Sequence, residues 1–543
     1  MSWSSGFLAG LRASSISLDW ALQFVNVSNH LGQEFTVYSD RGQPKISTGS
    51  ITFQGTAIIP QRWNVSFGGF SVGISGDIRH MLPKIRKGQI AALYCRIRGF
   101  GDYERVAIGQ LDLLSGFRGN FQLTFRDLLS ALQNSLDTRA GTAFSTSDPP
   151  HFNLFYEVGQ TTTSTHNLGT GATTLQLTTN SFFKKHSGTG SIPSRGMIKV
   201  TDNGAGGTNA VFYLFWTGTS GGTDLTGISS VTNRGAARVL LHAGSTVQYV
   251  AFIENQPWDI LGSIMTSTGS AGANGPLDIL PREWSIGGYV QNDLFAFGDV
   301  SRQAAYIKRS DNGVYEWELV VEAPLDNGIR SIVDIGSLSG QWPVFRQGQI
   351  SWRGACDPDG RDSELALSAP AAEIFDRDIV AILAHDFYNP NLANIYRTTR
   401  IIYNESGAGR YSGGVYDGDR VDSLPAISKI ERDNSPYYLH DRGGADNRST
   451  MALGDLRRIR RWDLYVSERL QIRVSLAFAG LVAGDIVEVS SRYLFGLLES
   501  PRETFRGRRA MVLSCDFSFD DQSCVLTLAI PTRKTKQTTD TET

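Results

Sequence analysis

The residues that could perform catalysis lie far apart along this chain. Eight histidines are present, and no two have the i, i+4 spacing that places both imidazoles on one face of a zinc-binding helix. A carboxylate directly follows an imidazole at His385-Asp386 and at His440-Asp441. A hydrolase also needs an activated nucleophile, and no histidine lies in a recognisable nucleophile motif; a phosphate-binding loop is also absent from the sequence. We therefore predict no catalytic residue and no enzymatic activity, and we interpret both dipeptides as chance surface neighbours.

Two acidic stretches could surround a cation with oxygen ligands. "DPDGRDSE" and "YDGDRVD" supply the carboxylates, which belong to Asp357, Asp359, Asp362, Glu364, Asp417, Asp419 and Asp422. Neither stretch has the twelve-residue spacing of a calcium-binding loop. Aspartate also stabilises turns by hydrogen bonding to its own backbone, without any metal. We predict plain turns at both places and no metal ligand, with cation binding as the alternative.

The cysteines give no sign of a metal or cluster site. No CxxC pair and no histidine at zinc-ligand spacing occurs around the four cysteines, Cys95, Cys356, Cys515 and Cys524. If a hairpin turns at Asp520-Asp521, Cys515 faces Leu526 and Cys524 faces Phe517. The two thiols are then diagonal neighbours, at a spacing too wide for easy bridging. We predict that all four cysteines are small buried hydrophobic residues and that no cofactor is bound.

Composition limits the class of protein. The chain has 543 residues, which favours about three to five domains at roughly 150 residues each. With 51 Lys+Arg against 53 Asp+Glu, the net charge of -2 excludes a global basic field that would attract nucleic acid or anionic membranes. No apolar run approaches the roughly 20 residues that span a bilayer, and residues 1–17 lack the features of a signal peptide. We expect synthesis in a cytoplasm and no stable membrane insertion.

Alternating apolar and polar residues predict successive β-hairpins in the first 148 residues. The runs 63–67 and 70–74 flank Gly68-Gly69, and two glycines suit a two-residue turn because both tolerate positive φ. A second hairpin is predicted across the turn 99–102. A meander of this length is typical of a small antiparallel barrel or sandwich.

The third hairpin, in "QLDLLSGFRGNFQLTF", leads directly into a helix pattern. Its second strand has an apolar face and a polar face, and we expect a lumen, a partner or solvent opposite the polar residues Gln122, Thr124 and Arg126. From Asp127 the period becomes helical, with an apolar stripe at Leu128, Leu132 and Leu136. Asp127 is placed to cap this helix, and we expect Leu128 and Leu132 to be buried.

Beyond a double proline near residue 150, the composition changes. Residues 161–250 are rich in Thr, Gly and Ser, yet "TTLQL", "GMIKV", "VFYLFW" and "STVQYV" are good strand patterns. The segment Glu254 to Gly288 predicts a short amphipathic helix around Trp258 and Leu261, followed by a glycine-rich loop. The stretch "APAAEIFDRDIVAILAH" predicts either a short helix or a strand.

The fold class that follows is mainly β and multidomain, with two tube-like antiparallel β-barrels, an inserted small β-domain and a few short helices. An internal duplication is plausible, because the last strands, roughly 469–531, again end in a hairpin of alternating residues. We predict five regions: a first barrel with its closing helix (1–148), an inserted Thr/Gly-rich β-domain (149–252), a helix-plus-β connecting domain (253–340), a second barrel with a loop-rich insertion (341–531) and a polar tail (532–543).

Three stretches resemble the tail hub, or baseplate hub, of tailed bacteriophages and of related gene transfer agents. "VAIGQLDLLSGFRGNFQLTFRDLLSALQ" resembles the hairpin and helix that close a hub barrel. "QPWDILGSIMTSTGSAGANGPLDILPREWSIG" is similar to a hub pattern of a short helix, a Ser/Thr-Gly loop and a tryptophan. "GATTLQLTTNSFF", "RGMIKV" and "TNRGAARVLLHAGSTVQYV" resemble a small β-domain inserted in many phage tail proteins, with Arg234-Gly235 and His242-Ala243-Gly244 at the matching places.

The resemblance implies a structural role at a virion tail tip or baseplate after assembly in a host cytoplasm. Hubs of this kind carry two tube-like barrels per chain and form homotrimers, so that six barrels continue the tail tube. It implies docking to the distal tail ring, the tape measure protein and a central fibre or other tail-tip protein, with genome DNA only passing through the channel. Some hubs bind an iron-sulfur cluster through clustered cysteines, and this chain departs from that pattern.

Two other classes of function remain open at the level of sequence. The 10 Trp and 18 Tyr among glycine-rich loops allow a carbohydrate- or receptor-binding tail module, although aromatic residues of β-rich chains more often lie in the core. A tail-associated cell-wall hydrolase is the third alternative, and no catalytic motif supports it.

Overall fold

The computed structural model describes most of the strands and leaves segments between them undescribed. The described residues are 3–13, 16–25, 33–59, 64–66, 68–117, 119–127, 159–183, 195–204, 210–235, 240–255, 283–284, 289–290, 317–322, 341–346, 349–354, 370–386, 398–402, 405–406, 410–411, 429–433, 438–441, 466–495, 504–519 and 521–531. All structural statements below refer to these residues.

The chain begins with a short helix, α1 (Ser5–Gly10), which Ser4 caps by accepting a hydrogen bond from the Phe7 amide. Nine strands follow: β1 (Leu18–Val25), β2 (Gln33–Tyr38), β3 (Lys45–Gln54), β4 (Ala57–Ile59), β5 (Asn64–Ser66), β6 (Gly69–Ser75), β7 (Ile90–Ile97), β8 (Glu104–Phe117) and β9 (Asn120–Asp127). Seven of them form a closed barrel in the order β1-β2-β3-β6-β9-β8-β7. A 3-10 helix, Leu82–Lys84, joins β6 to β7.

The next strands build the predicted Thr/Gly-rich region: β10 (Thr161–Thr163), β11 (Thr174–Gln176), β12 (Gly196–Thr201), β13 (Val211–Trp216), β14 (Gly218–Ser220), β15 (Asp224–Thr226), β16 (Ser229–Gly235) and β17 (Thr246–Asn255). Short strands follow, namely β18 (Glu283–Trp284), β19 (Tyr289–Val290), β20 (Trp317–Val321), β21 (Gln341–Arg346) and β22 (Gln349–Gly354). One sheet has the order β16-β13-β12-β17-β20-β29, and β10 also pairs with β17.

The remaining strands are β23 (Ala372–Phe375), β24 (Ile379–Asp386), β25 (Thr398–Ile402), β26 (Glu405–Ser406), β27 (Arg410–Tyr411), β28 (Lys429–Asp433), β29 (Tyr438–Asp441), β30 (Val466–Ser475), β31 (Ile486–Phe495), β32 (Thr504–Ser518) and β33 (Ser523–Pro531). Six of them form a sheet in the order β23-β31-β32-β33-β30-β24, which is a half-barrel. The 3-10 helix Asp376–Asp378 joins β23 to β24, and a second one, Leu476–Phe478, joins β30 to β31.

The closed barrel and the half-barrel repeat one arrangement of six strands. In the barrel, β3 pairs with β6, a 3-10 helix follows β6, and β7, β8 and β9 form a meander whose last strand returns to β6. In the half-barrel, β24, β30, β31, β32 and β33 pair in the same way and in the same directions. One further strand precedes these five strands in each unit, namely β2 in the barrel and β23 in the half-barrel, and β2 runs parallel to β7 as β23 runs parallel to β31. In the barrel, β1 lies between β2 and β7.

Local hydrogen bonds repeat as well. Gly88 and Gly484 both have positive φ, +87° and +99°, and their amides donate to the carbonyls of Leu111 and Val512 at 2.7 and 2.8 Å. Directly after these two acceptors, both long strands contain a β-bulge, at Asp112 in β8 and at Leu513 in β32. Because a bulge and a left-handed residue recur at matching positions, the two units are an internal structural repeat.

A second recurrence lies just before β7 and just before β31. The side chains of Gln89 and Asp485, one residue after the two glycines, accept hydrogen bonds from the amides of Arg86 and Val482. These bonds, at 3.2 and 3.0 Å, close equivalent tight turns. Turn geometry is therefore repeated together with strand order.

The hairpin predicted at Gly68-Gly69 is wrong. β5 pairs with β4, whereas β6 pairs with β3 and β9, so the runs on either side of the glycines do not face each other. A Cβ atom at Gly68 would lie 1.8 Å from the Gln54 carbonyl oxygen, and one at Gly69 would lie 2.3 Å from the Phe125 carbonyl oxygen. The two glycines therefore permit close approach of neighbouring backbones rather than a turn.

Other predictions are confirmed. The mainly β, multidomain class holds, and the hairpins predicted across 99–102 and in "QLDLLSGFRGNFQLTF" are the pairs β7–β8 and β8–β9. In β9, Leu123 and Phe125 are buried while Arg126 is exposed and Gln122 and Thr124 are partly exposed. The stretch "AAEIFDRDIVAILAH" forms strands.

Cysteine register is also as predicted. Cys515 pairs with Leu526 and Phe517 pairs with Cys524 across β32 and β33. Cys95, Cys515 and Cys524 are buried free thiols, and desolvation raises the pKa of the Cys95 thiol well above its ordinary value.

Candidate functional site

The two repeat units meet through aromatic side chains, and this junction is the candidate site for assembly. Phe53, at the end of β3, stacks on Phe517 of β32 with ring centroids 4.6 Å apart. Phe519, which follows β32, meets the edge of Trp20 in β1 at 4.8 Å. Trp20 and Phe519 are 1% and 2% exposed and belong to one hydrophobic core that continues through both units. Since aromatic burial of this size dominates core energetics, the units are held as one body at the junction.

Gly55 brings the two backbones together at the edge of the aromatic contact. A Cβ atom at this position would lie 2.2 Å from the Cys515 carbonyl oxygen, which is closer than real Cβ contacts come. The Gly55 amide donates to Asp516 Oδ1 at 2.9 Å. Burial raises the pKa of the Asp516 carboxyl group, and the hydrogen bond from Gly55 opposes that rise. The junction therefore combines close backbone packing with one polar contact that fixes its alignment.

The first unit contains a buried carboxylate held by two arginines. Asp19 in β1 is 1% exposed; Arg98 Nη2 lies 2.6 Å from its Oδ1, and Arg96 Nη2 lies 2.6 Å from its Oδ2. The hydrogen bond from Arg98, opposed by burial and assisted by Arg96, holds the pKa of Asp19 below its ordinary value. Arg98 itself is 59% exposed, so water shares the solvation of this group.

The second unit contains a more deeply buried set. Glu468 in β30 is completely buried, and its carboxylate oxygens lie 3.0 Å from Arg508 Nη2 and 3.1 Å from His385 Nε2. The Arg508 guanidinium lies 4.8 Å from the centre of the Phe505 ring. Because the set joins β24, β30 and β32, it fixes strands on both sides of β33, and it places His385 against Glu468.

The end of β12 and the turn before β17 bring together an aspartate, a histidine and a serine, which no pattern in the sequence connects. His242 Nδ1 lies 3.1 Å from Asp202 Oδ2, and the Ser245 hydroxyl donates to Asp202 Oδ1 at 2.8 Å. Burial opposes ionisation of Asp202, but hydrogen bonds from the His242 amide, the Ser245 hydroxyl and the His242 ring together lower its pKa. In a hydrolase the serine must bond to the histidine ring and reach substrate. Ser245 is fully buried and bonded to the aspartate, so the cluster ties a loop in place.

Several predicted residues lie outside the described part of the chain. They are Leu128, Leu132 and Leu136 of the predicted helix, the helix around Trp258 and Leu261, Cys356, both acidic stretches (357–364 and 417–422) and the tail 532–543. For His440-Asp441, the structure describes the backbone, which forms β29. Within the described ranges, no group of three or more His, Cys, Asp or Glu could hold a metal ion. Among those same ranges, no helix has both the length and the apolar character to cross a bilayer.

The junction and both buried ion sets were missed in the sequence because their partners are far apart in the chain. Asp19 and Arg98 are 79 positions apart, and Gly55 and Asp516 are 461 positions apart. One residue could have indicated the junction from the sequence. Gly55 is a glycine between two apolar strand patterns that do not form a hairpin with each other.

No protein-family model and no curated protein sequence matches this chain. Among solved structures, the chain is similar to a tail protein from Neisseria meningitidis MC58, with 10% identity, coverage of 94% of this chain and 96% of the other, and a TM-score of 0.38. The prophage MuSo2 43 kDa tail protein from Shewanella oneidensis gives 10% identity, coverage of 94% and 98%, and a TM-score of 0.37.

A third similar structure is the prophage tail protein gp18 from Listeria monocytogenes EGD-e, at 8% identity, coverage of 94% of both chains and a TM-score of 0.40. At these identities and TM-scores, the likenesses do not assign the chain to a family.

Proposed function

We propose that this chain is a structural protein of a bacteriophage-type tail tip, where it acts as the hub. The observation that carries the proposal is the internal repeat: one chain holds two barrel-type units that share strand order, a bulge position and a left-handed glycine. Three copies of such a chain would supply six equivalent units around an axis. A sixfold tube could then continue through a trimeric component without a change in its wall.

The junction supports the proposal because it links the units side by side. β3 and the segment after it contact β32 through Phe53 and Gly55. Different surfaces of the two units meet, so the contact is head to tail, the kind from which rings are built. The sequence stretches that resemble hub proteins extend over the first unit and the inserted region.

The proposed role as a hub implies partner proteins on both sides of the ring and within its channel. We propose that the assembled ring docks to a distal tail ring on one side, to a central fibre or other tail-tip protein on the other, and to the tape measure protein within the channel. Genome DNA would cross the channel during ejection. A net charge of -2 suits a wall that must not hold phosphate by charge attraction.

The experiment is a measurement of molar mass by light scattering after size-exclusion chromatography, across a wide range of concentrations. We expect a species of three 59.4 kDa chains, and we expect it to bind the distal tail protein and the tape measure protein of the same genome. A chain that stays monomeric at every concentration and binds neither component would contradict the proposal.

A further inference from the structure

The connection between β6 and β7 is a basic loop, residues 77–88, with a high local density of positive charge. Its exposed cationic side chains are those of Arg79, Lys84, Arg86 and Lys87. Its only carboxylate belongs to Asp77. The chain as a whole has 51 Lys+Arg and 53 Asp+Glu, so this excess of positive charge is local. A local field of one sign attracts a partner of the opposite sign even when the net charge of the chain is close to zero.

The basic loop has a fixed backbone. Ile78 and Met81 anchor it in the barrel core at 2% and 4% exposure. The amides of Leu82 and Ile85 donate to the carbonyls of Ile78 and Met81, both at 3.0 Å. Because the backbone is already ordered, a partner that binds the cations does not bear the entropy cost of ordering a flexible segment.

Two cations of the basic loop have no counter-charge of their own. Arg79 pairs with Asp77, but both side chains are exposed, so water screens the pair. Within the described ranges, neither Lys84 nor Arg86 has an ion-pair partner. The guanidinium group of Arg86 is therefore available for a bidentate contact with a carboxylate, and the Lys84 ammonium group can pair with a second one.

The neighbouring strands add one more cation to this surface. Lys87 Nζ lies 3.6 Å from Asp112 Oδ1 in β8, and Arg126 Nη2 in β9 lies 2.9 Å from Oδ2 of the same carboxylate. One aspartate thus lies between two cations. The surface formed by the basic loop, Asp112 and Arg126 therefore has five cationic side chains and two carboxylates.

The equivalent connection in the half-barrel differs in charge and in surroundings. It joins β30 to β31, ends at Gly484 as the basic loop ends at Gly88, and contains no charged residue between Ser475 and Asp485. Its apolar side chains line a cleft together with side chains in and just after α1: Leu8, Leu11, Ile16, Leu476, Phe478 and Leu481. In the second unit this connection thus faces another element of the same chain, whereas in the first unit it is exposed and charged.

The exposed apolar residues of the basic loop distinguish between anionic partners. Leu82 is 42% exposed, and Pro83 beside it is exposed as well. A phosphodiester backbone would pair with the cations but offers no apolar group to Leu82. A single leucine is also much less apolar surface than the face of a helix that binds a membrane interface. An acidic protein segment supplies both carboxylates and apolar side chains, and interfaces between proteins combine an apolar centre with a polar rim.

We propose that the basic loop binds an acidic segment of a partner protein, with carboxylates on Lys84, Arg86 and Lys87 and an apolar side chain on Leu82. The inference goes beyond the proposed role as a hub, because a single chain carries the complete surface. Binding is therefore expected whether the chain is a monomer or a trimer.

The first measurement uses the full chain and two labelled peptides. One peptide consists of Glu-Glu-Leu repeats, and the control peptide consists of Gln-Gln-Leu repeats of the same length. We expect fluorescence anisotropy to show saturable binding of the acidic peptide and no binding of the neutral one. Added salt should weaken the binding, because ions screen exposed charges. A chain that binds neither peptide, or both equally, would overturn the inference.

Charge reversal identifies the residues that bind. Lys84→Glu combined with Arg86→Glu should raise the dissociation constant of the acidic peptide by about tenfold or more, because like charges then face its carboxylates. The matched control is Arg473→Glu combined with Arg506→Glu, which makes the same change in net charge at exposed arginines of β30 and β32. Circular dichroism checks the fold of each variant. An equal loss in both double variants would overturn the inference, because net charge alone would then explain the binding.

Other anions are tested with the same chain. An oligothymidine strand and vesicles of phosphatidylglycerol supply phosphate groups without carboxylates. Leu82→Ser should weaken binding of the acidic peptide by about threefold, because it removes the apolar contact. Tighter binding of either phosphate probe than of the acidic peptide, lost on charge reversal at Lys84 and Arg86, would overturn the inference in favour of phosphate recognition. A chain that is monomeric at every concentration yet binds the acidic peptide through the basic loop would contradict the proposed function and support this inference.

Discussion

The closed barrel and the half-barrel share one arrangement of six strands. They differ in how the sheet closes and in how a buried carboxylate is paired. The barrel inserts β1 between β2 and β7, so every strand has two neighbours, whereas β23 of the half-barrel pairs directly with β31 in parallel. The barrel holds Asp19 between partly exposed arginines, whereas the half-barrel buries Glu468, Arg508 and His385 together. The difference teaches that the repeat keeps the strand order and the turns at Gly88 and Gly484, while the junction and the ion pairs are specific to each unit.

The largest expected effect comes from the residue that joins the units. Phe519 lies in a loop between β32 and β33 that is two residues longer than the turn between β8 and β9. Phe519→Ala should lower the free energy of unfolding by about 3–5 kcal/mol, because it leaves a cavity against Trp20 and Phe53. Urea denaturation measures the loss. Tyr493→Ala, at an aromatic residue that is 62% exposed, is the control. A loss below 1 kcal/mol would mean that the units do not share a core.

The second largest expected effect on stability comes from the buried ion set of the half-barrel. Glu468→Gln removes the fully buried charge that faces Arg508 and His385, and we expect a loss of about 3 kcal/mol in the free energy of unfolding. Asp19→Asn in the barrel should cost less at pH 7, because Arg98 is 59% exposed and regains water. Thermal denaturation of both variants compares the two. Equal losses would contradict the contrast between the units.

Close packing at the junction gives a further test. Gly55→Ala forces a methyl group against the Cys515 carbonyl oxygen, and we expect a loss of about 2 kcal/mol as the units separate slightly. Gly222→Ala is the control, since nothing lies within 4 Å of a Cβ atom there. Chemical denaturation distinguishes them, and a harmless Gly55→Ala would show that the two backbones have room to move apart.

Acid should weaken the ion pairs of Asp19 in the first unit. The pKa of Asp19 in the folded chain is lower than its ordinary value of 3.8, so its ion pairs stabilise the fold above about pH 3.8. That contribution is lost as pH falls through the lower, folded value. The stability difference between the wild type and Asp19→Asn should therefore be constant above pH 5 and shrink below pH 3.8. A difference that grows on acidification would contradict the assignment.

The smallest effects concern the equivalent turns. Gly119 has φ +84° and the corresponding Gln522 has φ +48°, and both carbonyls accept a hydrogen bond from the residue after β6 or β30. Gly119→Ala should cost about 1 kcal/mol, because L residues are strained in this region. Gln522→Gly should instead be neutral or slightly stabilising. Melting temperatures of both variants test whether the two turns share a backbone requirement.

The features that could be predicted from the sequence are those that depend on short-range periodicity. The β7–β8 and β8–β9 hairpins and the register of Cys515 and Cys524 follow from alternation and turn composition. The prediction at Gly68-Gly69 was wrong, because a pair of glycines is compatible both with a tight turn and with close approach of two backbones. The link between Glu468 and Arg508, 40 positions apart, has no local pattern. Only folding brings such charges together, so the ion sets that fix strands within each unit could not be predicted.

The shape of the assembled protein tests the central claim most directly. If three chains assemble as proposed, electron microscopy of the purified oligomer, viewed along its axis, should show six lobes of barrel size around a channel, because each chain would contribute two repeat units. Single particles with two lobes in the wild type, or rings in which the lobes are not six, would contradict the account.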